Sequence, residues 1–320
     1  MPRILFVKTS SLGDVVHNCP AVTEAARRVP DARIDWVVED SFAEVAALHA
    51  DVKRVVPVAI RRWRGALFSP ATWAEFGAFR RLLRSERYDF VIDSQGLVKS
   101  ALVAALAAGR RHGFDRASAR EPFAARFYDA GYAVPTALHA VERNRRLAAA
   151  ALGYRVEGAS DYGLRVLPTP GAQAAAGRYA LFLTMTSRED KLWPEEHWRS
   201  LGRELEGRGL HCILPWGTDD ERQRCARIAA AIAGAVVPRH MTLTEMAGLA
   251  SGAACVIGVD TGLAHLAAAL QVPVVGLYCG SDPALTGLEG KGWLRNLGGA
   301  GQPPAVAEVL AALDAPGRPR

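Results

Sequence analysis

One carboxylate lies in the turn after the first predicted strand, in the stretch KTSSLGD. Residues 4–7 (ILFV) read as a buried strand and a helical pattern begins near Val15, so Asp14 falls in the first turn of a helix. The turn lacks a G-x-G-x-x-G pattern, and it therefore does not predict a dinucleotide site. The carboxylate could act as a general base, or it could simply favour the positive end of the helix dipole. The residues alone leave both interpretations open.

A second strand-to-helix junction, VIGVDTGLAHLAAAL, suits a phosphate. Asp260, Thr261 and Gly262 occupy the turn and the first helical positions, where free backbone N–H groups attract anions and glycine lets the backbone approach. The alternative is a plain N-cap, in which Asp260 or Thr261 closes the helix. His265, one turn further on, could reach the same phosphate or pack in the core.

Two further strand ends in this half are followed by polar turns. The strand ALFLTMT ends at Thr186, and Ser187 and Lys191 follow it, which together offer two hydroxyls and an ammonium to a diphosphate. A solvated loop is the alternative for these residues. Glu221 follows the strand HCILPWG and could hold a ribose hydroxyl or favour the start of a helix. Polar turns after three strands of one domain together predict a nucleotide ligand.

Positive charge is concentrated in the N-terminal half. Residues 1–160 contain 24 Lys and Arg against 17 Asp and Glu, whereas residues 161–320 contain 15 against 16. This excess indicates an anionic partner or arginine used as surface filler, and charge alone does not separate the two. Nucleic acid is disfavoured because the arginines lack a helix-turn-helix or a stacking-aromatic pattern. The cations that could converge on an anion, with one histidine, are Arg61, Arg62, Arg64, Lys99, Arg120, His139 and Arg143.

Apolar strand-like runs alternate with helical stretches in both halves, and the strands are apolar on both faces. This pattern predicts an α/β protein with parallel sheets wrapped by helices, in two doubly wound domains. We predict an N-terminal domain at 1–155 and a C-terminal domain at 165–300, joined by a linker within 153–173, and a helix at 305–315 that could pack back on the first domain. Ligands in such folds lie at the carboxyl ends of the strands, so we expect the chemistry in a cleft between the domains.

Several classes of protein are disfavoured by composition. The five cysteines form no C-x-x-C pair, which is typical of a reducing compartment, and the eight histidines show no metal-binding spacing. The longest near-apolar run, residues 101–108, falls far short of the ~20 residues that span a bilayer. The start of the chain lacks the pattern of a secretory signal. We therefore predict a cytoplasmic protein without structural zinc.

Eight stretches together resemble the bacterial lipopolysaccharide heptosyltransferase I family. They are VKTSSLGDVVH, VAIRRWR, DSQGLVKSA, AREPFA, HAVERNR, TSREDKLWPEEHW, LPWG and VDTGLAHLAAAL, in the expected order over nearly the whole chain. The resemblance implies an inverting GT-B glycosyltransferase with two Rossmann-like domains facing across a cleft. It would move L-glycero-D-manno-heptose from ADP-heptose to the first Kdo of Kdo2-lipid A in lipopolysaccharide inner-core synthesis. IRRWR and SQGLVKS favour this family over the second-heptose transferases, which share the D-T-G-L-x-H turn.

The resemblance also implies roles for individual residues. Asp14 would be the catalytic base, and Lys191 would stabilise the departing ADP. The implied donor-binding residues are Thr186, Ser187, Lys191, Glu221, Met241, Asp260, Thr261, Gly262 and His265. The implied acceptor-binding residues are Ser11, Gly13, Arg61, Arg62, Arg64, Lys99, Arg120, His139 and Arg143. Thr184 and the pair Asn18 and Cys19 depart from the family pattern, which leaves the fine donor contacts open.

The partners implied are ADP-heptose, Kdo2-lipid A and the anionic cytoplasmic face of the inner membrane, on which the enzyme would be peripheral. No D-x-D pair occurs in the chain, so we predict neither an obligatory metal nor a cofactor. Trp63, Leu67 and Phe68 could enter the membrane interface, although we favour a packed loop for them. We interpret four arginines as the solvated face of a helix at 73–87, namely Arg80, Arg81, Arg84 and Arg87.

Three other functions remain as alternatives. The chain could be a second-heptose transferase or another ADP-sugar transferase of the lipopolysaccharide core. It could instead bind a nucleotide sugar without turning it over, in which case Asp14 would be dispensable. A nicotinamide dehydrogenase is compatible with the fold class, but the missing glycine fingerprint argues against it.

Overall fold

A computed structural model describes residues 1–166 and 178–315. The chain divides into two units, Met1–Leu164 and Arg165–Arg320. Residue 164 falls within the predicted linker, whose remaining part from residue 167 onward lies outside the described residues. No helix in the described ranges is both long and apolar enough to cross a membrane.

The first unit is built on a six-stranded parallel sheet in the order β3-β2-β1-β4-β5-β6. Its strands are β1 (Arg3–Val7), β2 (Arg33–Glu39), β3 (Val52–Val58), β4 (Arg87–Asp93), β5 (Ala108–Phe114) and β6 (Ala130–Tyr132). Its helices are α1 (Leu12–Arg28), α2 (Ala43–Ala47), α3 (Ile60–Gly65), α4 (Pro70–Arg84), α5 (Val98–Leu106) and α6 (Ala140–Leu152). The strand order reverses between β1 and β4, so the loops after these two strands lie at the switch point where doubly wound folds bind ligands.

The second unit has a five-stranded parallel sheet in the order β11-β10-β9-β7-β8. Its strands are β7 (Tyr179–Leu183), β8 (His211–Ile213), β9 (Cys255–Val259), β10 (Val274–Tyr278) and β11 (Leu294–Gly298). Its helices are α7 (Glu195–Gly207), α8 (Asp219–Ala229), α9 (Leu243–Ser251), α10 (Gly262–Ala269), α11 (Pro283–Thr286) and α12 (Val306–Asp314). The order reverses between β7 and β9, which makes the loops after these strands the second switch point.

Burial explains why the strands read as continuous apolar runs. The side chains of 4–7 in β1 and of 255–257 in β9 are fully buried, because helices cover both faces of each sheet. In the second unit Trp193 and Trp198 fill the core beside Phe182, and the Trp193 indole N–H donates to the carbonyl oxygen of Pro304 at 2.8 Å. Each sheet is therefore a rigid support for the polar turns at its carboxyl edge.

Two helices can be compared with the expectations. Helix α12 belongs to the second unit, where it packs against α7, β10 and β11, and its suggested packing on the first domain stays a prediction. Helix α4 begins at Pro70, since proline suits the first helical position, and it ends at Arg84. Arg87 is therefore the first residue of β4 and not part of the solvated helix face, whereas Arg80, Arg81 and Arg84 are exposed on that helix.

Candidate active site

Asp14 lies in the first turn of α1, at the switch point of the first unit. Its Oδ2 accepts the backbone N–H of Ser11 at 3.0 Å, which satisfies one donor at the start of the helix. Arg120 donates to Oδ1 at 2.7 Å and to Oδ2 at 3.3 Å, so the pair is bidentate. Lys8 Nζ lies 3.9 Å from Oδ1. With 15% of its side chain exposed, the carboxylate is accessible but flanked by two cations.

The flanking cations decide the charge of Asp14. Burial by itself would raise the pKa of the Asp14 carboxyl, but the charges of Lys8 and Arg120 outweigh burial and hold that pKa well below its ordinary value. The group is therefore a carboxylate at neutral pH. A carboxylate whose pKa is so low is a weak proton acceptor for as long as both cations remain on it.

Lys8 is a functional candidate that the sequence analysis did not select. It follows β1 directly and is buried, and its Nζ donates to the carbonyl oxygen of Ser94 at 2.8 Å and to Asn144 Oδ1 at 3.4 Å. Burial lowers the pKa of Lys8 to about 8, although the neighbouring Asp14 opposes the shift. A lysine that ends an apolar strand was the available signal, because strand ends at a switch point approach the ligand.

The loop after β4 is tied to the loop after β1. Gln95 Oε1 accepts the backbone N–H groups of Thr9 and Ser10 at 3.0 and 3.2 Å, and Lys99 Nζ donates to Ser10 Oγ at 2.9 Å. Asp93, buried at the end of β4, accepts the backbone N–H of Gln95 at 2.9 Å and thereby orients this loop. The structure thus brings the predicted residue Lys99 to the turn that carries Asp14.

Arg120 and Arg143 form the cationic side of this cluster. The guanidinium of Arg143 lies 4.8 Å from the ring centre of Phe114 and donates to the carbonyl oxygen of Ser118. Burial, with a smaller contribution from the charge of Arg120, lowers the pKa of Arg143. His139 is the N-cap of α6, where its ring accepts the backbone N–H of Val141 at 3.3 Å. This bond gives His139 a structural role at the start of α6. A contact between His139 and the acceptor stays a prediction.

The three arginines of α3 differ in how far they are already paired. Arg62 forms ion pairs with Asp40 at 3.0 Å and with Glu75 at 2.8 Å, so an anionic ligand would compete with two carboxylates. Arg61 lies over the Phe42 ring at 5.4 Å, and Arg64 is exposed with no ion pair in the described part of the chain. Of the remaining predicted acceptor residues, Ser11 is exposed and Gly13 is half-buried in the α1 turn.

Glu39 is a second residue that the sequence analysis missed. It ends β2 and is buried, and its Oε1 accepts the backbone N–H of Arg61 at 2.8 Å. Burial raises the pKa of Glu39, while the charges of Arg61 and Lys99 oppose that shift. Its other oxygen is buried without a hydrogen-bond partner within the described ranges. The sequence signal for Glu39 was an acid at the end of a strand. Because β2 lies beside β1 in the sheet, its end is close to the turn that carries Asp14.

Asp260 is the centre of the polar cluster in the second unit. It follows β9, and its Oδ2 accepts from Lys191 Nζ and from Ser281 Oγ, both at 2.6 Å. His265 Nε2 lies 3.5 Å from Oδ1. Burial would raise the pKa of the Asp260 carboxyl, but the bonds from His265, Lys191 and Ser281 outweigh it and hold that pKa well below its ordinary value. Ser281, beyond β10, is a member of the cluster that the sequence analysis did not select.

The loops after β7 and β9 meet at the second switch point. Thr186 Oγ donates to the backbone carbonyl of Asp260 at 2.9 Å, and Ser187 beside it is exposed. Thr261 occupies the N-cap position of α10 without a side-chain capping bond, and Gly262 is the first helical residue. The capping alternative therefore does not account for these residues, and the helix start retains backbone N–H groups that suit a phosphate oxygen.

Glu221 and Met241 are engaged locally. Glu221 accepts the backbone N–H groups of Gly217 at 2.7 Å and Thr218 at 3.3 Å, which completes a capping box at the start of α8. Met241 is half-buried against an apolar cluster to which α9, α10 and one face of the sheet contribute. Glu221 therefore stabilises the start of a helix, which was the second of its two interpretations. A contact between Glu221 and a ribose stays a prediction.

The family-model comparison assigns residues 76–301 to "Glycosyltransferase family 9 (heptosyltransferase)". Lipopolysaccharide heptosyltransferase 1 of Escherichia coli (strain K12) is 48% identical over 291 residues, which is 90% of this chain and 91% of the relative. The solved structure of E. coli heptosyltransferase WaaC with ADP is similar over 98% of this chain and 99% of that chain, at 43% identity and a TM-score of 0.89. The structure of the same enzyme with ADP-2-deoxy-2-fluoro heptose has a TM-score of 0.87 at 42% identity and the same coverage.

The chain belongs to glycosyltransferase family 9. It is therefore a glycosyltransferase, and the heptosyltransferase family predicted from its motifs is confirmed. The predicted α/β fold class with two Rossmann-like domains is confirmed as well. Within the described ranges of this family 9 member, no group of three or more His, Cys, Asp or Glu side chains could hold a metal ion.

Proposed function

We propose that the protein transfers L-glycero-D-manno-heptose from ADP-heptose to the first Kdo of Kdo2-lipid A, with inversion at the anomeric carbon. Membership of the heptosyltransferase family supports the donor sugar. The observation that carries the mechanism is the carboxylate of Asp14, held ionised at the switch point of the first unit among the cations that an acidic sugar would need. Inverting transfer requires such a base, because the acceptor hydroxyl must lose its proton as it attacks.

The second unit would bind the nucleotide part of the donor. Lys191 and the start of α10 offer an ammonium and backbone N–H groups to the diphosphate, which suits a helix N-terminus. As the bond to the sugar breaks, negative charge develops on the β-phosphate, and a positioned cation stabilises that charge. Lys191 Nζ donates to Asp260 Oδ2 at 2.6 Å, so the ammonium is already positioned before the donor binds.

The first unit would bind the Kdo acceptor. Arg120, Lys99 and Arg143 can pair with the acceptor carboxylate, since guanidinium groups bind carboxylates in a bidentate manner. Because Arg120 is the partner of Asp14, an acceptor carboxylate that shares Arg120 would weaken that ion pair. The pKa of Asp14 would then rise toward its ordinary value, and the carboxylate would become a better base once the acceptor is bound.

We also propose that the reaction needs no metal and no cofactor, because Lys191 and the helix start supply positive charge at the diphosphate. The experiment that tests the function incubates the purified protein with ADP-heptose and Kdo2-lipid A in the presence of EDTA. Mass spectrometry should detect a lipid that is heavier by one heptose. Transfer only to an acceptor that already carries heptose would favour a second-heptose transferase. Donor binding without any product would favour a binding protein, and activity lost in EDTA and restored by metal would contradict metal independence.

Arg120→Gln should raise the KM for the acceptor by about 10–100-fold, the value of one charged hydrogen bond. The KM for ADP-heptose should stay unchanged, because the donor set lies in the second unit. Removing this cation should also raise the pKa of Asp14. Since the base acts deprotonated, the acidic limb of the pH profile of kcat/KM should move to higher pH. Steady-state kinetics across pH measure both effects.

Arg116→Gln is the matched control for this variant. Arg116 is an exposed arginine of the same segment between β5 and β6, and it should show wild-type constants and a wild-type pH profile. An equal rise of donor and acceptor KM in Arg120→Gln would contradict the acceptor role. An unmoved acidic limb would contradict the coupling of Arg120 to Asp14.

Finally, we propose that the enzyme works at the cytoplasmic face of the inner membrane as a peripheral protein. A lipid acceptor resides in a membrane, and the basic excess of residues 1–160 suits an anionic leaflet.

A further inference from the structure

Four large apolar side chains of the first unit are exposed close to predicted acceptor residues. Leu67 and Phe68, in the loop between α3 and α4, are 53% and 102% exposed, Trp73 of α4 is 62% exposed, and Leu102 of α5 is 48% exposed. We call these four residues the apolar tip. Leu67, Trp73 and Leu102 line one groove of about 530 Å³, whose other walls include Trp63 and Phe76. Contiguous exposed apolar surface of this kind marks an interaction site.

The apolar tip is presented by a well-ordered support. The Trp63 ring packs edge-on against Phe76 at 5.8 Å and lies 5.7 Å from Phe79, and its N–H donates to Glu75 at 2.9 Å. Trp63 is packed as expected, although it lies in helix α3 and not in a loop, whereas the expectation of packing is wrong for Leu67 and Phe68, which are exposed to solvent. The ring contacts of Trp63 hold α3 against α4.

Several polar groups in and beside the loop form internal hydrogen bonds. The Trp73 indole N–H donates to the carbonyl oxygen of Leu67 at 2.9 Å. The backbone N–H groups of Ala66 and Ser69 donate to carbonyl oxygens of Trp63 and Ala66 at 3.1 and 3.0 Å. These bonds reduce the number of donors that the loop would leave unpaired in hydrocarbon, a penalty that opposes the insertion of a loop.

The charge around the apolar tip is positive. Residues 60–84 contain six arginines and a single acid, Glu75, which is paired with Arg62. Arg64 and Lys99 both border the groove itself. A second copy of this chain would place like charges against each other, whereas an anionic leaflet is complementary. Apolar insertion combined with basic residues is the pair of signals that gives stable peripheral binding.

We propose that the apolar tip inserts into an anionic lipid bilayer and docks the enzyme where its acceptor resides. The proposal rests on the proposed function, because a lipid acceptor is what makes docking useful. Lys99 also contacts Ser10 in the turn of Asp14, so docking at this groove places the bilayer next to the catalytic turn of the same unit.

The test compares Leu67→Ser/Phe68→Ser with Val236→Ser/Leu285→Ser, a matched pair of exposed apolar residues in the second unit. Co-sedimentation measures binding to vesicles of phosphatidylethanolamine and phosphatidylglycerol, which contain no acceptor. The first double variant should bind at least about tenfold more weakly than wild type, because two apolar side chains no longer enter hydrocarbon. The control variant should bind as wild type does. Vesicles without phosphatidylglycerol should bind the wild-type protein and both double variants weakly.

Transfer to a soluble acceptor from which the acyl chains have been removed separates this proposal from the proposed function. The Leu67→Ser/Phe68→Ser variant should use that acceptor with wild-type kcat and KM. Vesicle binding equal to wild type would overturn the docking proposal. If this variant binds vesicles as tightly as wild type but has a raised KM for the detergent-dispersed acylated acceptor, the docking proposal is overturned. That result would favour a groove that binds the acyl chain of the acceptor. If the wild-type protein cannot use the soluble acceptor, the proposed function fails, and the vesicle comparison still decides the docking proposal.

Discussion

Asp14→Asn is expected to lose most turnover, by about 10²–10⁴-fold, the usual contribution of a general base. The amide keeps an oxygen that can accept the Ser11 N–H, so the first turn of α1 retains its hydrogen bond. It cannot take a proton from the acceptor hydroxyl at neutral pH. Affinity for ADP-heptose should stay near wild type, because the predicted donor residues all lie in the second unit. Single-turnover kinetics with a soluble acceptor and calorimetric titration of the donor measure the two quantities.

The control for this variant is Asp31→Asn. Asp31 lies in an exposed turn of the same unit with φ at 57°, a conformation that asparagine tolerates, so the fold should be unaffected. A thermal melt of Asp14→Asn shows whether Lys8, which would lose its nearest carboxylate, destabilises the unit. Wild-type turnover in Asp14→Asn would end the assignment of the base and favour a non-catalytic role for this turn.

Lys191→Met should lower kcat by about 10²–10³-fold, the typical cost of removing one group that stabilises charge in the transition state. Methionine has a similar length but cannot pair with Asp260 or neutralise the charge that develops on the departing diphosphate. The KM for the donor should rise as well, since the ground-state diphosphate is already an anion. Pre-steady-state kinetics with ADP-heptose separate the chemical step from binding.

Lys291→Met provides the comparison, because Lys291 is an exposed lysine of the same unit that belongs to no predicted site. It should leave both constants unchanged. A Lys191→Met enzyme with a raised donor KM and a wild-type kcat would show that Lys191 binds the donor without stabilising the transition state. That result would remove Lys191 from the catalytic set while leaving the donor site in place.

The sequence predicted the architecture and the positions of the polar turns for a simple reason. Buried parallel strands are apolar on both faces, so the runs at β1 and β9 are visible in the letters, and the polar residues that follow them must lie at the carboxyl edge of a sheet. Asp14, Thr186 and Asp260 were found in this way. These inferences use only neighbours along the chain.

Tertiary structure decided which of those residues are partners. Arg120 and Asp14 are 106 positions apart, and Lys191 and Asp260 are 69 apart, so no local pattern reports their ion pairs. The same holds for Ser281, which joins Asp260 only because β10 lies beside β9.

Burial likewise had to come from the fold. Lys8 reads as an ordinary polar residue after a strand, yet packing buries it and moves its pKa to about 8. Leu67 and Phe68 read as residues of a packed loop, yet the fold leaves both side chains exposed to solvent. The physical reason is common to both cases. Residue type and spacing determine which elements form, whereas the charge and exposure of a side chain depend on atoms that distant parts of the chain bring against it.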